Sequence, residues 1–132
     1  MTVSLLEQKE ITEVLTSFGF NTKDQKVYLA LLAHGQTTLT PLSKALGIPV
    51  STVQSSINRL IDRGVVEVSK QKSRSLYEAS DPDVFRMILK EQANGVAGIL
   101  PLLDKLKTES HATPKLRVYN RERVSEIFSA SL

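Results

Sequence analysis

Residues 40–78 read TPLSKALGIPVSTVQSSINRLIDRGVVEVSKQKSRSLYE, and this stretch decides the fold. Thr40 can cap a short helix, with Pro41 at the first helical position, where its missing N–H is harmless. That helix stops at Gly47, a residue suited to a helix end. Ile48-Pro49 turns into a second helix from Val50 to Arg63, closed by Gly64. Val53, Ile57, Leu60 and Ile61 fall at i, i+4, i+7 and i+8 and make its buried face. An alternating run, Val65–Val68, then leads through the basic polar tip Ser69–Arg74 into a second short strand, Ser75–Glu78.

Helix, turn, helix, strand, basic loop, strand is the order of a winged helix-turn-helix. The chain is therefore expected to be mainly α with a small β-hairpin, followed by a long helix of dimerisation type. A winged helix-turn-helix most often presents one helix and its hairpin tip to duplex DNA. On that reading the face outside the helix core, Val50, Ser51, Thr52, Gln54, Ser55 and Asn58, contacts bases or phosphates together with Arg59. Serine and amide side chains are able to bond both. Lys44 and the cations of the wing, Lys70, Lys72 and Arg74, supply phosphate contacts. An ordinary solvated face and a merely soluble turn are the alternatives for these two regions.

Outward from this core, Ser4 and Glu7 form a capping-box pattern that opens an N-terminal helix. Ile11, Val14, Leu15 and Phe18 lie on one face of it, and Gly19 closes it. Thr22-Lys23-Asp24-Gln25 reads as a second capping box, opening a helix rich in apolar residues from Val27 to Leu32. Thr37–Leu39 is expected as a short first strand. Asp81-Pro82 starts the last long helix. In it Phe85, Leu89, Gln92, Val96, Ile99, Leu103 and Leu106 step by four and three residues, a heptad seam. This seam either pairs two copies of the chain or packs on the chain's own N-terminal helix. Pro101 lies within it and predicts a kink or break near Ala97–Ile99. Residues 111–114 read as a linker, 115–119 as a strand and 121–131 as an amphipathic helix. The expected organisation is a winged helix with an extra helix over 1–80, a dimerisation helix over 81–110, and a linker with a strand-helix stub over 111–132.

Composition narrows the function. The 132 residues include no cysteine, so disulfides and thiolate metal sites are excluded. His34 and His111 have no ligand-spaced partners and read as surface residues. No nucleophile–base pair, carboxylate dyad or phosphate loop is recognisable, so neither an enzyme nor a cofactor or metal is expected. No apolar run approaches the ~18 residues of a membrane span, and a cytoplasmic protein without membrane contact is expected. The net charge is +3. Residues 1–21 carry −2, residues 22–80 carry +4 and residues 81–132 carry +1. The excess lies where a phosphate-facing surface needs it.

The segments FGFNTKDQKVYLALLAHG, TPLSKALGIPVSTVQSSINRLIDRGVVEVS and RSLYEASDP, with the long helix that follows, resemble the TrmB-like family of winged-helix transcriptional regulators. PKLRVYNRERVSEIF resembles the segment that opens the family's C-terminal effector domain. Val50 and Gln54 depart from the basic and aromatic residues usual at those places. The resemblance implies a dimeric, sequence-specific regulator that binds double-stranded DNA. It does not imply sugar sensing, because the large effector domain of longer members is not found before Leu132. On this view the chain is a short member or an N-terminal fragment, and a small-molecule effector is not expected for it. A winged-helix module that binds protein rather than DNA is the alternative.

Overall fold

The computed structural model describes residues 3–112, so the stretches expected at 113–119 and 121–131 lie outside the described residues. The elements run α1 (Leu5–Ser17), α2 (Thr22–His34), α3 (Leu39–Leu46), α4 (Val50–Asp62), β1 (Val66–Gln71), β2 (Arg74–Ala79) and α5 (Val84–Ala112). The expected fold class holds: helices, then a two-stranded antiparallel hairpin, then a long helix. The chain divides into two units, Met1–Phe85 and Arg86–Leu132.

The core of the first unit is a small set of side chains fully removed from water. Val27 and Leu31 come from α2, Leu42 from α3, Val53, Ile57 and Leu60 from α4, and Val65 from the start of the hairpin. Each large aliphatic side chain buried this way contributes about 1.5–3 kcal/mol of transfer free energy. Spacing of three and four residues on α4 puts its members on one face, as the sequence pattern requires. Ile61 is only half-buried, and Ser56 takes a fully buried place on the same helix. A second cluster is aromatic. The ring of Phe85 meets those of Phe18, Tyr28 and Phe20 edge-on, at centroid distances of 5.1, 6.0 and 6.3 Å. Phe85, the first residue of the expected seam, thus packs within the first unit's aromatic cluster, with Phe18 at the end of α1 among its neighbours.

The helix-turn-helix corner is set by a backbone requirement. Gly47 ends α3 with φ 68° and ψ 31°, the left-handed conformation that a side chain disfavours. Its N–H donates to the Ser43 carbonyl at 2.8 Å, while the Ser43 hydroxyl donates to the Ile48 carbonyl at 2.5 Å. These bonds use the loose ends of α3 to aim the chain into α4.

Several boundaries differ from those expected. Asn21, not Thr22, caps α2: its side-chain oxygen accepts from the Asp24 N–H at 2.7 Å. Gln25 is buried instead of capping, and its amide donates to the Phe20 carbonyl at 2.8 Å and to the Thr16 hydroxyl at 3.0 Å. Helix α3 begins at Leu39 after Thr38, so Pro41 stands third in its first turn, where an N–H still has no helical partner. The first strand shrinks to one bridge between Thr37 and Tyr77. The hairpin is longer and its tip tighter than expected. Gln71 pairs with Arg74, leaving only Lys72 and Ser73 in the turn.

Helix α5 continues through Pro101 without a break. At 100° per residue, Pro101 falls on the side opposite Leu89, Val96, Ile99 and Leu103. The proline interrupts hydrogen bonding on the polar side, so the apolar row is undisturbed. Leu89, Val96, Ile99, Leu103 and Leu106 are 48–63% exposed.

A methyl group at the helix-turn-helix corner tests its backbone requirement. Gly47→Ala should destabilise the protein by about 1–2 kcal/mol, with an unchanged denaturant slope in urea titrations. Apart from Gly47 itself and its two chain neighbours, no heavy atom lies within 4 Å of the added Cβ, so the loss reports conformation and not a clash.

Candidate nucleic-acid interface

Helix α4 turns one face to the core, and the residues between those core positions face outward. Ser51, Ser55 and Asn58 are exposed, Val50 is 42% exposed, and Thr52 and Gln54 are half-buried. This surface is already ordered by local bonds. The Gln54 amide donates to the Asn58 side-chain oxygen at 2.9 Å, and the Ser55 hydroxyl donates to the Ser51 carbonyl at 3.1 Å. The wing approaches the same place. Thr38, Leu39 and Thr40 at the start of α3, Val50 and Gln54 on α4, and Arg74, Ser75 and Tyr77 on β2 line one open cleft of about 420 Å³. The structure therefore brings Val50, Gln54 and Arg74 together, three positions widely separated in sequence.

The helix ends add to this electrostatic character. Ser4 and Asn21 cap α1 and α2 with side-chain bonds, and Glu7 and Asp24 stand in their first turns. Helices α3 and α4 have neither a side-chain cap bond nor an acid in the first turn. Their N-terminal N–H groups and positive dipole ends are left for an outside anion, and phosphate is the common one. Lys44 is exposed on α3. Lys70, Lys72 and Arg74 are exposed on the hairpin, but they do not form one tip. Lys72 alone occupies the turn. Lys70 pairs with Ser75 and Gln71 with Arg74, which puts Lys70 and Arg74 on opposite faces of the ribbon. Lys72 has φ 60°, a left-handed conformation rare for a side-chain-bearing residue. A charged side chain thus occupies a backbone position that favours glycine, at the outermost point of the wing.

Arg59 of α4 and Arg63 at its C-terminal end are exposed, yet each bonds another part of the chain. Arg59 forks onto Asp24 of α2, with Nε and Nη2 bonded to its two carboxylate oxygens at 2.9 and 2.8 Å. The carboxylate side chain is 6% exposed and the guanidinium side chain 50%. Arg59, expected as a DNA contact, thus has an intramolecular partner, while half of its side chain stays exposed. Arg63 donates to the Phe18 carbonyl, and its guanidinium lies 4.4 Å from the centre of the Phe20 ring. Asp24 was hidden from the sequence reading because an acid in a helix's first turn is ordinary.

Burial pushes the Asp24 carboxyl up, but the bonds from Arg59 and Ser56 and the nearby charge of Arg59 outweigh it. The net result lies below the ordinary carboxylate value. Arg59 is raised by the same bond. Among the described residues, no cluster of histidine, aspartate or glutamate is arranged to hold a metal, and no helix is long and apolar enough to cross a membrane.

A family model described as the sugar-specific transcriptional regulator TrmB matches residues 15–83. Among solved structures, the chain is similar to TrmBL2, an archaeal chromatin protein whose structure shows a novel mode of DNA binding. The identity is 21%, the TM-score 0.70, and the match covers 85% of this chain and 44% of that one. The chain thus spans less than half the length of this relative. It is also similar to a possible transcriptional regulator from Methanosarcina mazei Go1, with 23% identity, a TM-score of 0.57, and 74% and 87% of the two chains covered. The ST1889 protein of Sulfolobus tokodaii is 19% identical, with a TM-score of 0.51 over 76% and 96% of the chains. No curated protein matches the chain. The match over residues 15–83 is more than half of the chain, which therefore belongs to the TrmB family of transcriptional regulators.

The ion pair makes a pH-dependent contribution of known sign. Because the folded carboxyl lies below its unfolded value of ~3.9, the contribution is complete above that value and is lost as pH falls through the folded one. Asp24→Ala should cost about 1–3 kcal/mol at pH 7, since Arg59 is half-exposed and returns partly to water. In urea titrations the stability difference between the two proteins should stay constant above pH ~3.9 and narrow as pH falls below it.

Proposed function

We propose that this TrmB-family chain is a dimeric, sequence-specific regulator that binds duplex DNA, with α4 in the major groove and the hairpin on the adjacent backbone. The observation that carries the reading is the shared cleft. It joins the start of α4, the start of α3 and the wing residue Arg74, with both helix N-termini uncapped by side chains. A recognition helix needs phosphate anchors on both sides to fix its depth and register, and this arrangement supplies them. Lys44, Lys70, Lys72 and Arg74 are the phosphate contacts; Val50, Ser51, Thr52, Gln54, Ser55 and Asn58 face the groove. Arg59 acts by holding α4 to α2.

The dimer rests on α5. Its apolar row of Leu89, Val96, Ile99, Leu103 and Leu106 is exposed over more than two heptads, with Gln92 as its polar member. A dimer of such a protein reads two half-sites about one DNA turn apart, ~34 Å, with one recognition helix from each copy. A polar seam residue fixes register at some loss of stability. The second reading, a protein-binding module, draws on one observation: the outward face of α4 from Val50 to Asn58 carries no charge.

Fluorescence anisotropy with duplex DNA separates the two readings. Binding should be micromolar or tighter at low salt and should weaken steeply as salt rises, by about 0.9 in the log–log slope for each neutralised phosphate. Replacing Lys70, Lys72 and Arg74 together by alanine should weaken binding to all sequences alike and flatten that slope. Absence of binding to any duplex at low salt favours the protein-binding module.

The seam has its own test. Ile99→Asp with Leu103→Asp should yield a folded monomer by light scattering and bind DNA far more weakly. A double variant that remains dimeric moves pairing elsewhere, most economically to α1. A wild-type chain that is monomeric at tens of micromolar removes the dimer.

A further inference from the structure

We infer that α4 reads A·T base pairs in preference to G·C pairs, through the amide pair Gln54–Asn58 and the apolar side chain of Val50. The inference rests on the DNA-binding reading above and adds the identity of the bases. It starts from what the helix lacks. Guanine offers two acceptors, N7 and O6, to the major groove, and a guanidinium or ammonium is the usual reader. Residues 50–58 contain no cation. The guanidinium groups of the two arginines that follow are engaged within the protein, although both residues are exposed: Arg59 forks onto Asp24, and Arg63 bonds the Phe18 carbonyl beside the Phe20 ring.

What the helix does present has a definite polarity. With the Gln54 amide nitrogen bonded to the Asn58 oxygen at 2.9 Å, the pair leaves the Gln54 carbonyl as acceptor and the Asn58 amide as donor. Turning both amides over exchanges the roles but still leaves one acceptor and one donor, so the conclusion does not depend on which orientation is chosen. Adenine presents one donor, N6–H, and one acceptor, N7, in the major groove. Facing a purine, the pair complements adenine, whereas against guanine its carbonyl meets the O6 acceptor and finds a donor only by reaching across to the cytosine N4–H₂. The internal bond also fixes both side chains before DNA arrives, which lowers the ordering cost of contact.

Val50 supplies the second element. It stands at the start of α4, is 42% exposed, and lines the same cleft as Gln54. An apolar side chain at this place has a natural counterpart in the thymine C5-methyl group. Gln54 lies one turn from Val50 and Asn58 one turn further, so the three form a row along one helix edge. Serines 51 and 55 flank this row and, as hydroxyls, bond either kind of pair. Arg74 enters the cleft from β2, and it is the one guanidinium there that must be tested as a rival reader.

The experiment uses the full chain and a randomised duplex library at low salt, followed by anisotropy on the enriched duplex. The expected motif has A·T pairs at the positions facing α4. Exchanging the read A·T pair for G·C should weaken binding by about 5- to 150-fold. Replacing that adenine by 7-deazaadenine, which lacks the N7 acceptor, should reproduce part of the loss. Gln54→Ala and Asn58→Ala should each abolish the difference between the duplexes while keeping the salt slope; Arg74→Ala should keep the difference. Enrichment of G·C pairs, with a preference that disappears in Arg74→Ala, overturns the inference. Salt-dependent binding without base preference overturns it too, and leaves the DNA-binding reading standing. Absence of binding to any duplex overturns both.

Discussion

A carboxylate removed from water must be bonded on both oxygens or give up its charge, and Asp24 is bonded on both by Arg59. This fork ties the first turn of α2 to the last turns of α4. Apolar packing of Val53, Ile57 and Leu60 against Val27 and Leu31 draws the two helices together, but burial is non-directional and leaves sliding and rotation weakly opposed. A planar fork with two bonds opposes both. The cation–π contact of Arg63 with Phe20 and its bond to the Phe18 carbonyl add a second fixed point one turn on. Which side chains of α4 face outward follows from these two attachments as much as from its apolar face.

The same attachments divide the charges of the first unit into two kinds. Arg59 and Arg63, though exposed, are bonded within the chain, while Lys44 of α3 and Lys70, Lys72 and Arg74 of the wing extend along the surface. The sequence excess of +4 over residues 22–80 includes both kinds, so net charge overstates the surface open to phosphate. The uncapped starts of α3 and α4 work in the other direction: they add partial positive charge that no count of residues includes.

Much of this was legible in residues 40–78 because each signal there is local. Gly47 and Gly64 stop helices, the four-and-three spacing of α4 fixes its core face, and a strand pattern on each side of a polar turn gives the hairpin. Ser4 with Glu7 was equally local, and both capping bonds form, at 2.8 and 3.1 Å. The misreadings arise where two local solutions compete or where a distant partner decides. Asn21 and Thr22 can each cap α2, and the choice of Asn21 frees Gln25 to bond the Phe20 carbonyl in the core. Lys72 in a left-handed turn has no signature, since lysine disfavours that conformation. Pro101 reads as a breaker, yet it lies away from the apolar row and the helix tolerates it. The fork between Asp24 and Arg59 joins residues 35 positions apart, and no spacing rule connects them.

The proposed DNA surface joins the outward face of α4, the start of α3 and the hairpin, and backbone amide NMR of the chain with and without a short duplex at low salt tests it directly. Shift changes should concentrate at residues 38–44, 50–58 and 69–76 and be absent from the buried Val27 and Leu31 region. Changes confined to α1 or α5, with residues 50–58 and 69–76 unmoved under saturating duplex, would contradict it.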